Sequence, residues 1–278
     1  MARTLAGAAA LGVCGLAVWI LLYAMVLTGF QEHGSQNRLY QKFRVALAAT
    51  TATYGGVIPN GAPVALMSSS AAGFDNLVVV AGTTAGDLSK GPGLQLDTPL
   101  IGQAGDSVVF GRSVTYGAPF RHIADLKKGA RITVTTSQGT FVYSVIDVRY
   151  QGDKALPPVK VNQSRLTLVS STSQGWRSGW APDRIVFVDA DLVKGQVQQV
   201  TPGLPSSVGS NSLAMQSNPG ELSWFIGWLE LLVVVVGGAL WSWKNWGRRQ
   251  TWLVGLPILI AVLWGTGNAL LQFLPNLI

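Results

Sequence analysis

Few side chains in this sequence are placed to do chemistry. The single cysteine, Cys14, sits inside an apolar run, so no disulfide can form within the chain and no thiol nucleophile lies outside that run. With Cys14, His33 and His122 scattered, no cluster has the spacing of a metal site. Neither a metal nor a cofactor is expected. Gly91-Pro92-Gly93 reads as a turn and not a phosphate loop, because no Lys-Ser/Thr follows it into a helix. Asn162-Gln163-Ser164 matches the glycosylation tripeptide, a pattern that recurs by chance. Two features are more pointed. Glu230 interrupts the apolar stretch LSWFIGWLELLVVVVGGAL, and Trp176 and Trp180 lie close together in QGWRSGW. Such tryptophans can line a peptide groove, anchor a partner, dip into a membrane interface, or pack over the end of a domain.

Composition limits what can hold these residues. Only 12% of the residues are charged, about half the usual quarter of soluble proteins. The mean hydropathy is +0.34. Both point to a membrane protein. The net charge of +7 is not one basic patch: Glu32 to Glu221 hold 16 Lys+Arg against 12 Asp+Glu, and the remaining cations, Arg3, Lys244, Arg248 and Arg249, flank apolar segments. That distribution signals membrane topology and excludes a nucleic-acid footprint.

In chain order, Leu5 to Phe30 carry no charge and are long enough to cross a bilayer, which needs roughly 20 residues. The apolar run is too long for a cleaved signal peptide, so an uncleaved anchor is expected. Leu39, Phe43, Ala46 and Leu47 recur at helical spacing and predict a juxtamembrane helix packed on the next domain. Short β-branched runs follow at Pro63–Met67, Leu77–Ala81, Ser107–Phe110, Arg131–Thr136, Phe141–Val148, Arg165–Val169 and Ile185–Val188, with a helix expected at Ala118–Lys128. They predict a closed or nearly closed β-barrel. A Pro/Gly/Ser/Asn tract before Glu221 reads as a tether. Leu222–Trp243 and Thr251–Leu274 are two further spans, joined by a loop rich in Lys and Arg. With Arg3 and that loop on the cytoplasmic side, the N-terminus is cytoplasmic and the β-domain and C-terminus lie outside.

Glu230 falls about 12 Å along its span at 1.5 Å rise per residue. Thr266 and Asn268 lie at matching depth on the third span, with Gly265 and Gly267 allowing close approach. The expected arrangement is a polar clasp between the two helices. Docking of another membrane subunit and an ion or proton path are the alternatives.

The β-domain resembles the sortases, closest to the class of high-GC Gram-positive bacteria, over about Ala62 to Leu192. The likeness is carried by PVALM, VVVAGTTAGDLSKGPG, the Gly102–Gly105 turn, VVFGR leading into TYGAPF, DLKKG, the pair RITVTT and FVYSVIDV, then LTLVSS and DRIVFVDADL. It implies an eight-stranded sortase barrel with short helices, and an extracytoplasmic cell-wall context. Sortase chemistry uses a thiolate to attack an amide, a histidine to move protons and an arginine to steady the oxyanion. At the matching positions this chain has Ser171 for the cysteine and Arg112 for the histidine; Arg184 matches the arginine, and Leu94 replaces a frequent histidine. Serine needs an adjacent base, which a guanidinium cannot be. His33 lies on the juxtamembrane helix and His122 is ten residues from the required strand end.

The resulting expectation is an all-β, sortase-like eight-stranded barrel outside the membrane with three transmembrane helices. Residues 1–30 form the anchor, 31–60 the juxtamembrane helix and connector, 61–195 the barrel, 196–221 a flexible linker and 222–278 a helix hairpin. Function is read as a non-catalytic binding or assembly subunit at the cell envelope. A groove of Arg112, Ser170, Ser171 and Arg184, bordered by Trp176 and Trp180, would take a peptide or an anion; pairing of either arginine with Asp106 or Asp183 is the structural alternative. Partners would be membrane or cell-wall proteins. The alternative functions are a transpeptidase or hydrolase using Ser171 with Arg184, and a structural subunit acting through its helices.

Overall fold

Runs such as LVVVA and RITVTT, separated by Gly- and Ser-rich turns, pair into a sheet that curls until its first strand meets its fifth. The computed structural model describes residues 12, 14–50, 58–173, 182–201 and 203–278. These fall into two units: residues 1–27 with Asn218–Leu274, and Thr28–Ser217 with Pro275–Ile278.

The second unit opens with helix α1, Thr28–Ala48. Strands β1 (Pro63–Ser69) and β2 (Phe74–Ala81) are followed by the single helical turn α2 (Ala85–Leu88), capped by the Thr84 side chain. Then come β3 (Gly93–Leu94), β4 (Gly105–Phe110), β5 (Arg131–Thr136), β6 (Gly139–Tyr150), β7 (Ser164–Thr172) and β8 (Arg184–Lys194). The eight close into a barrel in the order β1-β2-β3-β4-β7-β8-β6-β5, with β1 antiparallel to β5. Two pairings are parallel, β2 with β3 and β4 with β7. Inward side chains such as Met67, Val79, Val109, Ile132, Phe141, Leu168 and Val188 fill the barrel. Their burial supplies the main driving force.

Helix α1 does pack on the barrel, as the Leu39/Phe43 spacing predicts. Phe43 is buried. Beside it, the Gln36 amide joins the barrel directly: Nε2 donates to Val78 O at 3.1 Å and to Lys90 O at 2.8 Å, and Oε1 accepts from Val78 N at 2.8 Å. The helix expected at Ala118–Lys128 is not formed; only a 3₁₀ turn, Ile123–Asp125, is present. Pro119 restricts the residue before it, and Tyr116 and Ala118 both adopt left-handed φ, 50° and 47°, which no helix tolerates. Part of the tract after β8 is seated on the barrel unit: Gln198 pairs with Gln103, the Thr83 hydroxyl donates to Ser212 O at 2.6 Å, and Ala214 and Met215 pack against buried apolar side chains.

The first unit holds helices α3 (Glu221–Asn245) and α4 (Arg248–Phe273). With the helical stretch Cys14–Ala48, three helices are long and apolar enough to cross a membrane. The glycines of the third span do permit close approach, though not to Glu230. A Cβ on Gly265 would meet the Trp228 ring at 2.6 Å, and one on Gly267 would meet Tyr23 at 2.8 Å. The clasp is not made: Glu230 is exposed, and the Thr266 hydroxyl donates to Val262 O of its own helix at 2.8 Å. Asn268 is half-buried and has a partner of its own. Thr266 satisfies itself on the preceding turn.

Candidate functional site

Parallel pairing of β4 with β7 brings two strand ends together, Phe110 beside Val169. The chain leaves β4 through Gly111, whose N–H donates to Val169 O at 2.9 Å. A side chain there would collide with the Phe120 ring, since a Cβ would lie 2.4 Å from it. The next residue, Arg112, turns inward and is only 1% exposed. Its guanidinium lies over the Tyr116 ring, 4.7 Å from the centroid. Nη2 donates to Ala85 O at 3.0 Å, and Nη1 donates to Thr115 Oγ1 at 3.1 Å and to Ile278 O at 2.8 Å. Nε has no partner. Among the described residues no Asp or Glu pairs with Arg112. Burial pushes the guanidinium down to about 10, with Tyr116 acting in the opposite sense, so it remains cationic at neutral pH.

Ser171 occupies the neighbouring end of β7, also buried. Its Oγ lies 2.6 Å from Ser113 Oγ and donates to Leu277 O at 2.7 Å. The Ser113 N–H donates to the same oxygen at 3.1 Å. One residue on, Ile278 O accepts from Thr115 Oγ1 at 2.5 Å as well as from Arg112. The cleft therefore holds a stretch of the chain itself, Pro275–Ile278. Leu277 O also has the Ser113 hydroxyl at 3.4 Å, so two successive main-chain oxygens receive three and two donors. Asn276 anchors the segment: Nδ2 donates to Thr83 O at 2.8 Å and to Leu213 O at 2.9 Å, and its N–H donates to Gln216 O at 3.1 Å. Leu277 is fully buried against Leu88, Phe110 and Val169.

Chemically this is a holding arrangement. Ser171 presents its proton to a carbonyl oxygen, not its lone pair to the carbonyl carbon, and no imidazole touches it. His122 is exposed and faces Asp125 at 3.4 Å, and His33 is exposed on α1. Without a base the hydroxyl stays a weak nucleophile, and the cationic Arg112 cannot take a proton.

The other expected residues are dispersed. Ser170 is buried and donates to Gly111 O at 2.8 Å, tying the two strands. Arg184 starts β8 opposite Thr172, one residue beyond the Ser171–Ile185 pair. It is exposed, with no hydrogen bond or ion pair to Arg112 or Ser171. It pairs with neither Asp106 nor Asp183. Trp176 and Trp180 lie outside the described residues. Ser113, Thr115, Thr83 and the Pro275–Ile278 segment were not legible as site residues, because contacts across 106 to 193 residues of chain define them.

A second polar cluster lies along β4, β7, β8 and β6. Arg149 grips Asp189 with Nε at 2.6 Å and Nη2 at 3.0 Å. Thr167 Oγ1 lies 2.9 Å from Asp106 Oδ1 and 3.0 Å from Asp189 Oδ1. The Thr167 hydroxyl faces both carboxylates as the donor. Burial pushes the Asp106 carboxyl up, as does Asp189, while Thr167, Arg165 and Arg149 oppose the rise.

Comparison with known proteins follows this geometry. The Sortase domain family model matches residues 71–193. Among curated proteins, none matches. The barrel is similar to the sortase D5 transpeptidase of Clostridium perfringens, 19% identical over 58% of this chain and 99% of that one, TM-score 0.47. It is similar to a sortase E variant of Streptomyces avermitilis, 26% identical over 49% and 91%, TM-score 0.40. The SrtA sortase of Actinomyces oris is 22% identical over 49% and 83%, TM-score 0.42.

Proposed function

We propose that this chain, which carries a sortase-family domain over residues 71–193, is a membrane-anchored, extracytoplasmic protein that binds a peptide without cleaving it and serves as a binding or assembly subunit at the cell envelope. One observation carries the reading. At the two strand ends where the family's chemistry is expected, Ser171 donates to a carbonyl oxygen at 2.7 Å and Arg112 is a buried cation. Such a pair stabilises a bound carbonyl and supplies no general base.

Placement outside the cytoplasm is supported by Arg3 before the first span and by Lys244, Arg248 and Arg249 between the second and third. Exposed Glu230, inside a candidate span, supports assembly with another membrane protein, since an acid at that depth favours a protein neighbour over lipid.

The test is turnover of sorting-type peptides with an amine acceptor, followed by mass spectrometry, for the wild-type chain, Ser171→Ala and the double variant Arg112→His with Ser171→Cys. Wild type and Ser171→Ala are expected to give equal, background product. Product that requires Ser171 would overturn the reading. Thiol-dependent cleavage by the double variant would show that the barrel still aligns a substrate and that these two side chains alone were lost.

A further inference from the structure

We propose that the cleft between the ends of β4 and β7 is a receptor for an extended peptide bearing an Asn-Leu pair, and that Pro275–Ile278 is its resident, displaceable ligand. The inference rests on the non-catalytic reading above and adds what the cleft recognises and how its occupancy is controlled.

Three layers of contact define the ligand. The main-chain oxygens of Leu277 and Ile278 take the Ser113 N–H, the Ser171 and Thr115 hydroxyls and Arg112 Nη1. These contacts accept any extended segment and fix its register. Sequence is read by two side chains. The Asn276 amide places both hydrogens on carbonyl oxygens, those of Thr83 and Leu213. An aspartate there would set a carboxylate against two carbonyls, so the pocket takes Asn and rejects Asp. Leu277 is fully buried among Leu88, Phe110 and Val169, which admits a branched apolar side chain and excludes a charged one.

The resident segment also leaves the site incomplete. Arg112 Nε and Asn276 Oδ1 are buried without hydrogen-bond partners. Each such orphan weakens the resident segment's hold on the cleft. A partner peptide that brings an acceptor to Nε therefore binds better than the segment it replaces. The resident competes through its tether, at an effective concentration on the order of mM, so the cleft opens only to a partner that makes these missing bonds or is abundant locally.

The experiment uses the full chain in detergent and a fluorescein-labelled peptide of residues 272–278, Gln-Phe-Leu-Pro-Asn-Leu-Ile, read by fluorescence anisotropy. The variant Asn276→Ala with Leu277→Glu empties the cleft and is expected to bind the peptide at least tenfold more tightly than wild type does. The same peptide with Asp in place of its Asn is expected to bind at least tenfold more weakly. Asn276→Ala alone, a milder release, should gain at least threefold, and it decides the matter if the double variant melts abnormally. Binding no tighter than wild type in the folded release variants, or equal binding of the Asp peptide, overturns the receptor. Peptide cleaved in the same mixture overturns the non-catalytic reading and leaves the receptor standing.

Discussion

Arg112 shows what a buried cation does at a strand end. The guanidinium is dehydrated, stacked on Tyr116 and spent on main-chain oxygens. Its pull on carbonyl oxygens survives burial and its proton is not for transfer. Asp106 gives the residue scale its pH test. Burial raises the folded-state pKa above the ordinary aspartate value, so the folded state prefers the protonated form. The stability from that proton is complete below the unfolded pKa and lost as pH rises through the folded one. Asp106→Asn keeps the neutral form at every pH and retains an acceptor for the Thr167 hydroxyl. It should melt higher than wild type at pH 7, with the gap closing near the unfolded aspartate pKa of about 4. Wild type melting higher at pH 7 would show that Asp106 is stabilised as a carboxylate. Arg112 and Ser171 were legible in the sequence, because FGRSVTYGAPF and LTLVSS bracket them. Asn276 was not, since nothing local marks an asparagine after a proline as a ligand for carbonyls of Thr83 and Leu213.

Among the elements, the strands were the readable part. Alternation of β-branched residues located seven of the eight, and β3 escaped because two residues carry no periodicity. The helix expected at 118–128 failed where Pro119 follows the left-handed Ala118 at its start. Helix α1 was foreseen for its apolar face, yet a polar residue joins it to the barrel. Gln36 satisfies both the N–H and the C=O of Val78 on β2, together with Lys90 O. Gln36→Ala should therefore cost about 2–3 kcal/mol by leaving buried backbone groups unpaired, measured as a lower melting temperature of the β-sheet circular dichroism signal. A change of less than about 0.5 kcal/mol would mean that water replaces the amide.

At the scale of the molecule, a barrel matched by the Sortase domain model is carried on a chain with three apolar helices, and the segment after the last helix fills the barrel's own cleft. The proposed topology rests on the placement of four cations. It predicts that, in a Cys14→Ala background, a membrane-impermeant thiol reagent labels Val161→Cys on intact cells, a position 90% exposed. Asn245→Cys, at the end of α3 where the second span turns toward the third, should label only after the membrane is opened. The reverse pattern would invert the orientation. The occupancy of the cleft was not legible, because it depends on a long-range match between Pro275–Ile278 and residues of α2, β4, β7 and their loops.

Whether this cleft holds a peptide or breaks one is decided most directly by the intact mass of the protein after peptide is bound. The Leu277→Glu chain, with its own segment released, is incubated with the peptide of residues 272–278 and weighed. The account predicts an unmodified protein and a peptide recovered whole. An acyl adduct on Ser171, absent from the same chain carrying Ser171→Ala, would contradict it.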